Sequence, residues 1–192
     1  MRVSVPDAEI TRLALAAKAG DRAAAAEFVR VTQQGVYRFV AHLVDAREAE
    51  DLTQETYLRA IPGLARFAAR SSARTWLLAI ARRVAADHIR TVVRRPRTTA
   101  VEDWETAADT LAATEVSRFD DTLVLSQLLD GLTAERREAF VATQLLGLSY
   151  AEAAEVCDYP VGTIRSRVAR ARADLVAAVQ ADTGGRRLRA IG

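Results

Sequence analysis

Leu148-Ser149-Tyr150-Ala151-Glu152-Ala153-Ala154-Glu155-Val156-Cys157-Asp158-Tyr159-Pro160-Val161-Gly162-Thr163-Ile164-Arg165-Ser166-Arg167-Val168 is the stretch that decides the architecture of this chain. Ser149 and Glu152 stand at capping-box spacing. The serine hydroxyl can accept the third backbone amide while the glutamate reaches back, which specifies a helix from Tyr150 to about Val156. Cys157-Asp158-Tyr159 is a short break, and Pro160 suits the first turn of a new helix, where its missing amide proton costs nothing. Val161, Ile164, Val168, Ala171 and Leu175 then recur at helical spacing as the stripe to be buried. A short helix, a three-residue break and a long basic helix form a helix-turn-helix pattern.

At about 100° per residue the side opposite that stripe carries Ser166 and Arg170. Gly162, Thr163 and Ala169 lie beside them, and Arg165 and Arg167 lie on the flanks. Small residues allow close approach to a major groove. An outward arginine can bond guanine with both arms of its fork, and flanking Arg and Thr groups are placed for phosphates.

Outward from this stretch, the 192 residues are 50% hydrophobic and 27% charged with a net charge of +2, a foldable composition that excludes disorder along the whole chain. The charge is segregated: residues 74–97 carry +6, residues 101–121 carry −6, and residues 161–174 carry +3, with 26 arginines against the single Lys18. Two basic blocks therefore flank an acidic one, a pattern suited to phosphate contact. Cys157 is the only cysteine and there are two histidines, so neither an internal disulfide nor a Cys/His metal cluster is expected. No apolar run reaches the roughly 18 residues of a membrane span and the start lacks an apolar signal core, so a cytoplasmic location is expected.

Periodicity gives an all-α chain of two small helical domains joined by a flexible linker. A first helix at Asp7 faces inward through Ile10, Leu13, Ala14 and Ala17, with Gly20 as its cap. A second from Asp21 carries Phe28, Val31, Val36, Phe39, Val40 and Leu43. A third spans about Ala46 to Ile61, burying Ala49, Leu52, Thr56 and Ala60, and Pro62-Gly63 is expected to stop it. A fourth runs from Ser71 or Ser72 to about Val93. Two apolar faces wrap it, leaving a free strip at Ala79, Arg83, Ala86, Asp87 and Arg90. Beyond the acidic stretch, Leu123, Leu125, Leu128, Leu129 and Leu132 mark a helix. Thr133 can cap the next, which packs Ala139, Phe140, Thr143 and Leu146 before Gly147. The expected divisions are a first domain at 1–96, a linker at 97–121, a second domain at 122–180 and a flexible tail at 181–192. Cations separated by alanines on the fourth helix suit a nucleic-acid backbone, and Trp76 with Phe67 and the intervening loop could stack on a base.

Two stretches carry a family resemblance. Ala49-Glu50-Asp51-Leu52-Thr53-Gln54-Glu55-Thr56-Tyr57-Leu58-Arg59-Ala60, then Phe67 and Thr75-Trp76-Leu77-Leu78-Ala79-Ile80-Ala81-Arg82, resemble region 2 of the extracytoplasmic-function (group IV) sigma factors of bacterial RNA polymerase. Leu146 to Ala154, with Cys157 and Pro160 to Arg172, resembles region 4. The resemblance implies a promoter-specificity subunit that binds core polymerase, reads the −35 and −10 elements and melts the latter. It is not expected to be an enzyme and needs no cofactor or metal.

By the same resemblance, Asp51, Leu52, Gln54 and Glu55 dock on the clamp helices of the largest polymerase subunit. Phe67, Arg74 and Trp76, with Arg83, Asp87 and Arg90 along the strand, bind the −10 element. Ser149, Tyr150, Thr163, Arg165, Ser166, Arg167 and Arg170 bind the −35 element, next to the polymerase flap. The acidic linker threads the active-site cleft, the free protein is a monomer, and an anti-sigma protein is a further candidate partner. Members often carry an aromatic residue three before the tryptophan and an asparagine seven after it. Here those positions hold Ala73 and Arg83, so the family's base preference at −10 is not carried over. A dimeric repressor would need a dimerisation helix or ligand pocket that the acidic linker does not supply. An enzyme would need a convergent catalytic set, and none is visible.

Overall fold

The computed structural model of the chain describes residues 5–94, 125 and 127–189, the backbone alone at 46 and 182–189. The expected linker at 97–121 and Leu123 lie outside these residues. Among the described residues every regular element is helical. Asp7–Lys18 forms α1, Arg22–Ala41 α2, Ala46–Gly63 α3 and Ala73–Arg94 α4, with a single 3₁₀ turn at Leu64–Arg66. The second half holds α5 at Ala134–Phe140, a π-helical turn at Val141–Leu145, α6 at Tyr150–Cys157 and α7 at Val161–Arg189.

The helix ends are set by local chemistry. Gly20 follows α1 with φ +99°, a conformation that glycine adopts without steric cost. The Asp21 carboxylate accepts the Ala24 amide at 3.0 Å and caps α2. Before α4, the Ser72 hydroxyl accepts the Thr75 amide at 3.1 Å. Thr133 holds the cap position of α5, but its hydroxyl makes no capping bond. Instead the Glu135 carboxyl bonds its own amide and Thr133, which together hold its pKa below the usual range.

α3 runs two residues past the expected Ile61, through Pro62, and ends at Gly63, the second of the pair expected to stop it. The missing ladder bond would have gone to the carbonyl of Leu58, on the last turn, where Leu58 is exposed and solvent can serve that oxygen. The last helix continues to Arg189, through the stretch expected as a flexible tail. Helix formers on both sides, Ala177 to Ala181 and Arg186 to Arg189, carry the backbone across Gly184-Gly185, although each glycine costs about 1 kcal/mol relative to alanine.

Phe28, Val36, Phe39, Val40 and Leu77 fill the centre of the α1–α4 half; Leu129, Val141, Val156, Ile164 and Val168 fill that of the second. Each such large side chain contributes about 1.5–3 kcal/mol by leaving water. The buried side chains form one continuous cluster across both halves, because α4 packs directly against α6. Two expectations of burial change: Val161, in the first turn of α7, is 39% exposed, and Ala79, expected on the free strip of α4, is buried.

Two arginines of α4 make the contact between the halves. The Arg82 Nε donates to the Glu138 carboxylate at 2.7 Å, and the Arg74 Nη2 donates to the Leu146 carbonyl at 2.5 Å. Arg82 also lies 5.9 Å from the Tyr159 ring centre.

Candidate nucleic-acid and polymerase interfaces

The second half forms the expected helix-turn-helix. The Glu152 amide donates to the Ser149 hydroxyl at 3.2 Å while the Ser149 amide donates to the Glu152 carboxylate at 2.8 Å, completing the capping box. The Ser149 hydroxyl, donating to the same carboxylate at 2.7 Å, and the Ser149 amide together hold the Glu152 carboxyl below its usual range. α6 ends at Asp158 in the left-handed conformation, φ +58°, and the Tyr159 amide closes the turn on the Ala154 carbonyl at 3.2 Å. This sharp reversal lets α7 leave with Ile164, Val168 and Ala171 fully buried beneath it.

The opposite side of α7 stands open: Arg165, Ser166 and Arg170 are exposed and Thr163 is half-buried. Arg165 lies 5.9 Å from the Tyr150 ring centre, so the start of α6 and the outer face of α7 form one surface with Ser149 at its edge. Arg167 departs from the group. It stacks on Tyr159 at 3.8 Å and is half-buried.

In the first half, Phe67 and Trp76 meet with ring centres 5.1 Å apart and planes tilted by 48°. Phe67 is buried, leaving the half-buried indole as the aromatic surface at the loop. Gly63 lies under the indole: a Cβ there would come within 3.3 Å of Trp76 Cζ2. Arg74 turns away from this surface, toward Leu146 and, at 3.7 Å, toward Asp7. Arg83 and Arg90 are exposed along α4. Between them the Asp87 carboxylate is held by Arg90 and by Arg59 at 3.0 Å, which together keep its pKa below the usual range.

On α3, Asp51 and Gln54 are exposed and Glu55 is half-exposed, bound by Arg59 at 2.7 Å. Leu52 is half-buried and shared with the core. Leu58, 71% exposed one turn further along, extends this face with an apolar contact that the sequence reading left out. Sequence reasoning also missed Glu138, whose role arises from the contact between halves, and Tyr159, which meets Arg82 across that contact and Arg167 within its own half. The Cys157 thiol is buried, with burial pushing its pKa up to about 12. Among the described residues no group of His, Cys, Asp and Glu side chains could hold a metal.

Comparison with known proteins agrees with this arrangement. Residues 28–95 match the family described as Sigma-70 region 2, and residues 122–175 match Sigma-70, region 4. The chain belongs to the extracytoplasmic-function (ECF) family of RNA polymerase sigma factors, the promoter-recognition subunits of transcription initiation. It is 54% identical over 176 residues, 92% of this chain and 94% of the relative, to the ECF RNA polymerase sigma factor SigC of Mycobacterium tuberculosis. To the RNA polymerase sigma-H factor of Pseudomonas aeruginosa it is 33% identical over 171 residues, 84% of this chain and 89% of the relative. Among solved structures, CnrH in complex with the cytosolic domain of CnrY shares the fold, with a TM-score of 0.70 at 24% identity, covering 91% of this chain and 99% of that one. The sigma factor RpoE in complex with the anti-sigma factor NepR from Bartonella quintana gives 0.64 at 26% identity, covering 81% and 96%.

Proposed function

We propose that this sigma factor divides its work among three surfaces. The α3 face of Asp51, Leu52, Gln54 and Glu55, extended by Leu58, binds the clamp helices of core polymerase. The Phe67–Trp76 loop, with Arg83, Asp87 and Arg90 of α4, engages the −10 strand. The outer face of α7, with Thr163, Arg165, Ser166 and Arg170 beside Ser149 and Tyr150, reads the −35 duplex, and Arg74 and Arg167 join their surfaces only after leaving their contacts within the chain. The observation that carries the reading is the exposed Arg165-Ser166-Arg170 face on the second helix of a capped helix-turn-helix. Extracting a −10 base costs a few kcal/mol, which stacking on Trp76 and phosphate contacts offset.

In this reading residues 1–96 and 122–180 are the two working domains and 97–121 connects them through the polymerase cleft. The protein acts in the cytoplasm as a specificity subunit rather than as an enzyme, without a cofactor, and an anti-sigma protein is a further candidate partner, as the anti-sigma factor NepR is for RpoE of Bartonella quintana. Run-off transcription with purified chain, sigma-free core polymerase and a promoter library tests it. Transcripts that start downstream of a shared pair of elements are expected; core binding without any transcript contradicts the −10 assignment.

A further inference from the structure

The loop at residues 67–72 is short, and both its ends are tied to the same helix. The Lys18 Nζ donates to the Phe67 carbonyl at 2.8 Å, across 49 residues of sequence. At the other end the Ala73 amide donates to the Thr11 hydroxyl at 3.0 Å, and that hydroxyl in turn donates to the Asp7 carbonyl at 2.8 Å. Thr11 and Lys18 are seven residues apart on α1, two turns of one helical face, so they present their groups about 10 Å apart along a rigid axis. Ile10, Leu13 and Ala14 bury the other side of α1 and hold it in the core.

Between these two anchors Ala69 sits at φ +50°, a left-handed conformation that a non-glycine residue keeps only when its surroundings hold it there. Lys18 is the one lysine of the chain, against 26 arginines. A compact ammonium suits a single carbonyl; the planar fork of arginine is built for two acceptors.

We propose that α1 is a brace that fixes the shape of the 67–72 loop through Lys18 and Thr11 and thereby sets which unpaired base the loop accepts. This inference rests on the assignment of the loop to the −10 element. Lys18 and Thr11 are positioning residues: they act through the backbone of the loop, whose ends they fix before DNA arrives, so that less conformational freedom is lost on binding.

The test uses the full chain assembled with core polymerase and a pool of single-stranded DNA with a randomised core, from which bound molecules are selected and sequenced. The native holoenzyme is expected to enrich a short motif, and Trp76→Ala to lose it. Lys18→Met and Thr11→Val are expected to flatten the preference at one or two positions of that motif and to weaken binding of the enriched strand about tenfold, as the loss of a charge-assisted or buried hydrogen bond implies. Thr11→Ser, which keeps the hydroxyl, restores the native motif; core affinity is unchanged in all three, and Lys18→Met and Thr11→Val lower the thermal midpoint by no more than the loss of one hydrogen bond implies. If Trp76→Ala loses the motif while Lys18→Met and Thr11→Val keep it, the brace is overturned and the −10 assignment stands. If the native chain enriches nothing, or Trp76→Ala selects the native motif, the assignment itself falls and the brace with it. Loss of core affinity in proportion to the loss of DNA binding reduces both residues to general folding roles and overturns the proposal.

Discussion

Arg82 of α4 and Glu138 of α5 pair at 2.7 Å with the glutamate side chain only 10% exposed, joining the half that carries Trp76 to the half that carries Arg170. Burial raises the Glu138 pKa above its ordinary value of 4.5, with Arg82 pulling the other way. A carboxyl with a raised folded-state pKa binds protons more readily folded than unfolded. Its contribution to stability therefore grows as pH falls from that raised value toward 4.5 and is lost as pH rises through it. Urea unfolding of the native chain and of Glu138→Gln should show the native advantage widening from neutral pH toward 4.5, and an advantage that narrows over that range contradicts the burial argument. At neutral pH, Glu138→Ala should destabilise by about 1–3 kcal/mol, because Arg82 is left partly buried without its acceptor.

Arg170 and Arg167 lie on one helix and should separate cleanly. Arg170→Ala is expected to weaken binding to a −35 duplex by about 1–3 kcal/mol with an unchanged melting temperature. Arg167→Ala removes the stack on Tyr159 and should cost about 0.5–2 kcal/mol of stability. Fluorescence anisotropy on a duplex from a transcribed promoter, beside thermal melts, distinguishes the two. A loss of DNA affinity with Arg167→Ala at unchanged stability would mean that Arg167 leaves Tyr159 for the −35 duplex; unchanged affinity removes it from that surface.

Charge reversal on α3, Asp51→Arg with Glu55→Arg, should reduce affinity for core polymerase about tenfold or more and leave −35 duplex binding by the isolated chain intact. Competition against labelled native chain for core polymerase measures the first quantity. A proportional fall in both activities would contradict separate surfaces.

Cys157 should resist alkylation. Its thiol is buried and titrates at about 12, so at neutral pH neither access nor thiolate is available. Iodoacetamide labelling followed by mass spectrometry should proceed only as fast as the chain unfolds; rapid labelling of folded protein would reopen a redox role.

The capping box, the break at Cys157-Asp158-Tyr159 and the open face of α7 were legible in the sequence because each depends on residues a few positions apart. Helical periodicity likewise located α1 to α4. Contact between distant segments is one cause of what the sequence did not show. Arg74 is turned inward because the second half of the chain lies against the first, and no spacing within either half encodes that; Arg167 is turned onto Tyr159 within its own half, across the break between α6 and α7. The passage of α3 through Pro62 has a different reason: whether a lost helix bond matters depends on whether water can replace it, which requires the exposure of Leu58. Lys18 carried a readable mark, its isolation among arginines, but its partner lies 49 residues away.

Gly63 sits outside the loop that flanks Trp76, yet a Cβ there would stand 3.3 Å from Cζ2, so a side chain at this position pushes the indole by a few tenths of an ångström. The ring proposed to stack on the −10 strand thus takes part of its setting from a residue outside the proposed DNA surface. Among related chains, divergence in strand-opening behaviour could arise by drift at this one site without any change in the DNA-facing residues. A comparison confined to those residues would assign such paralogues the same promoters.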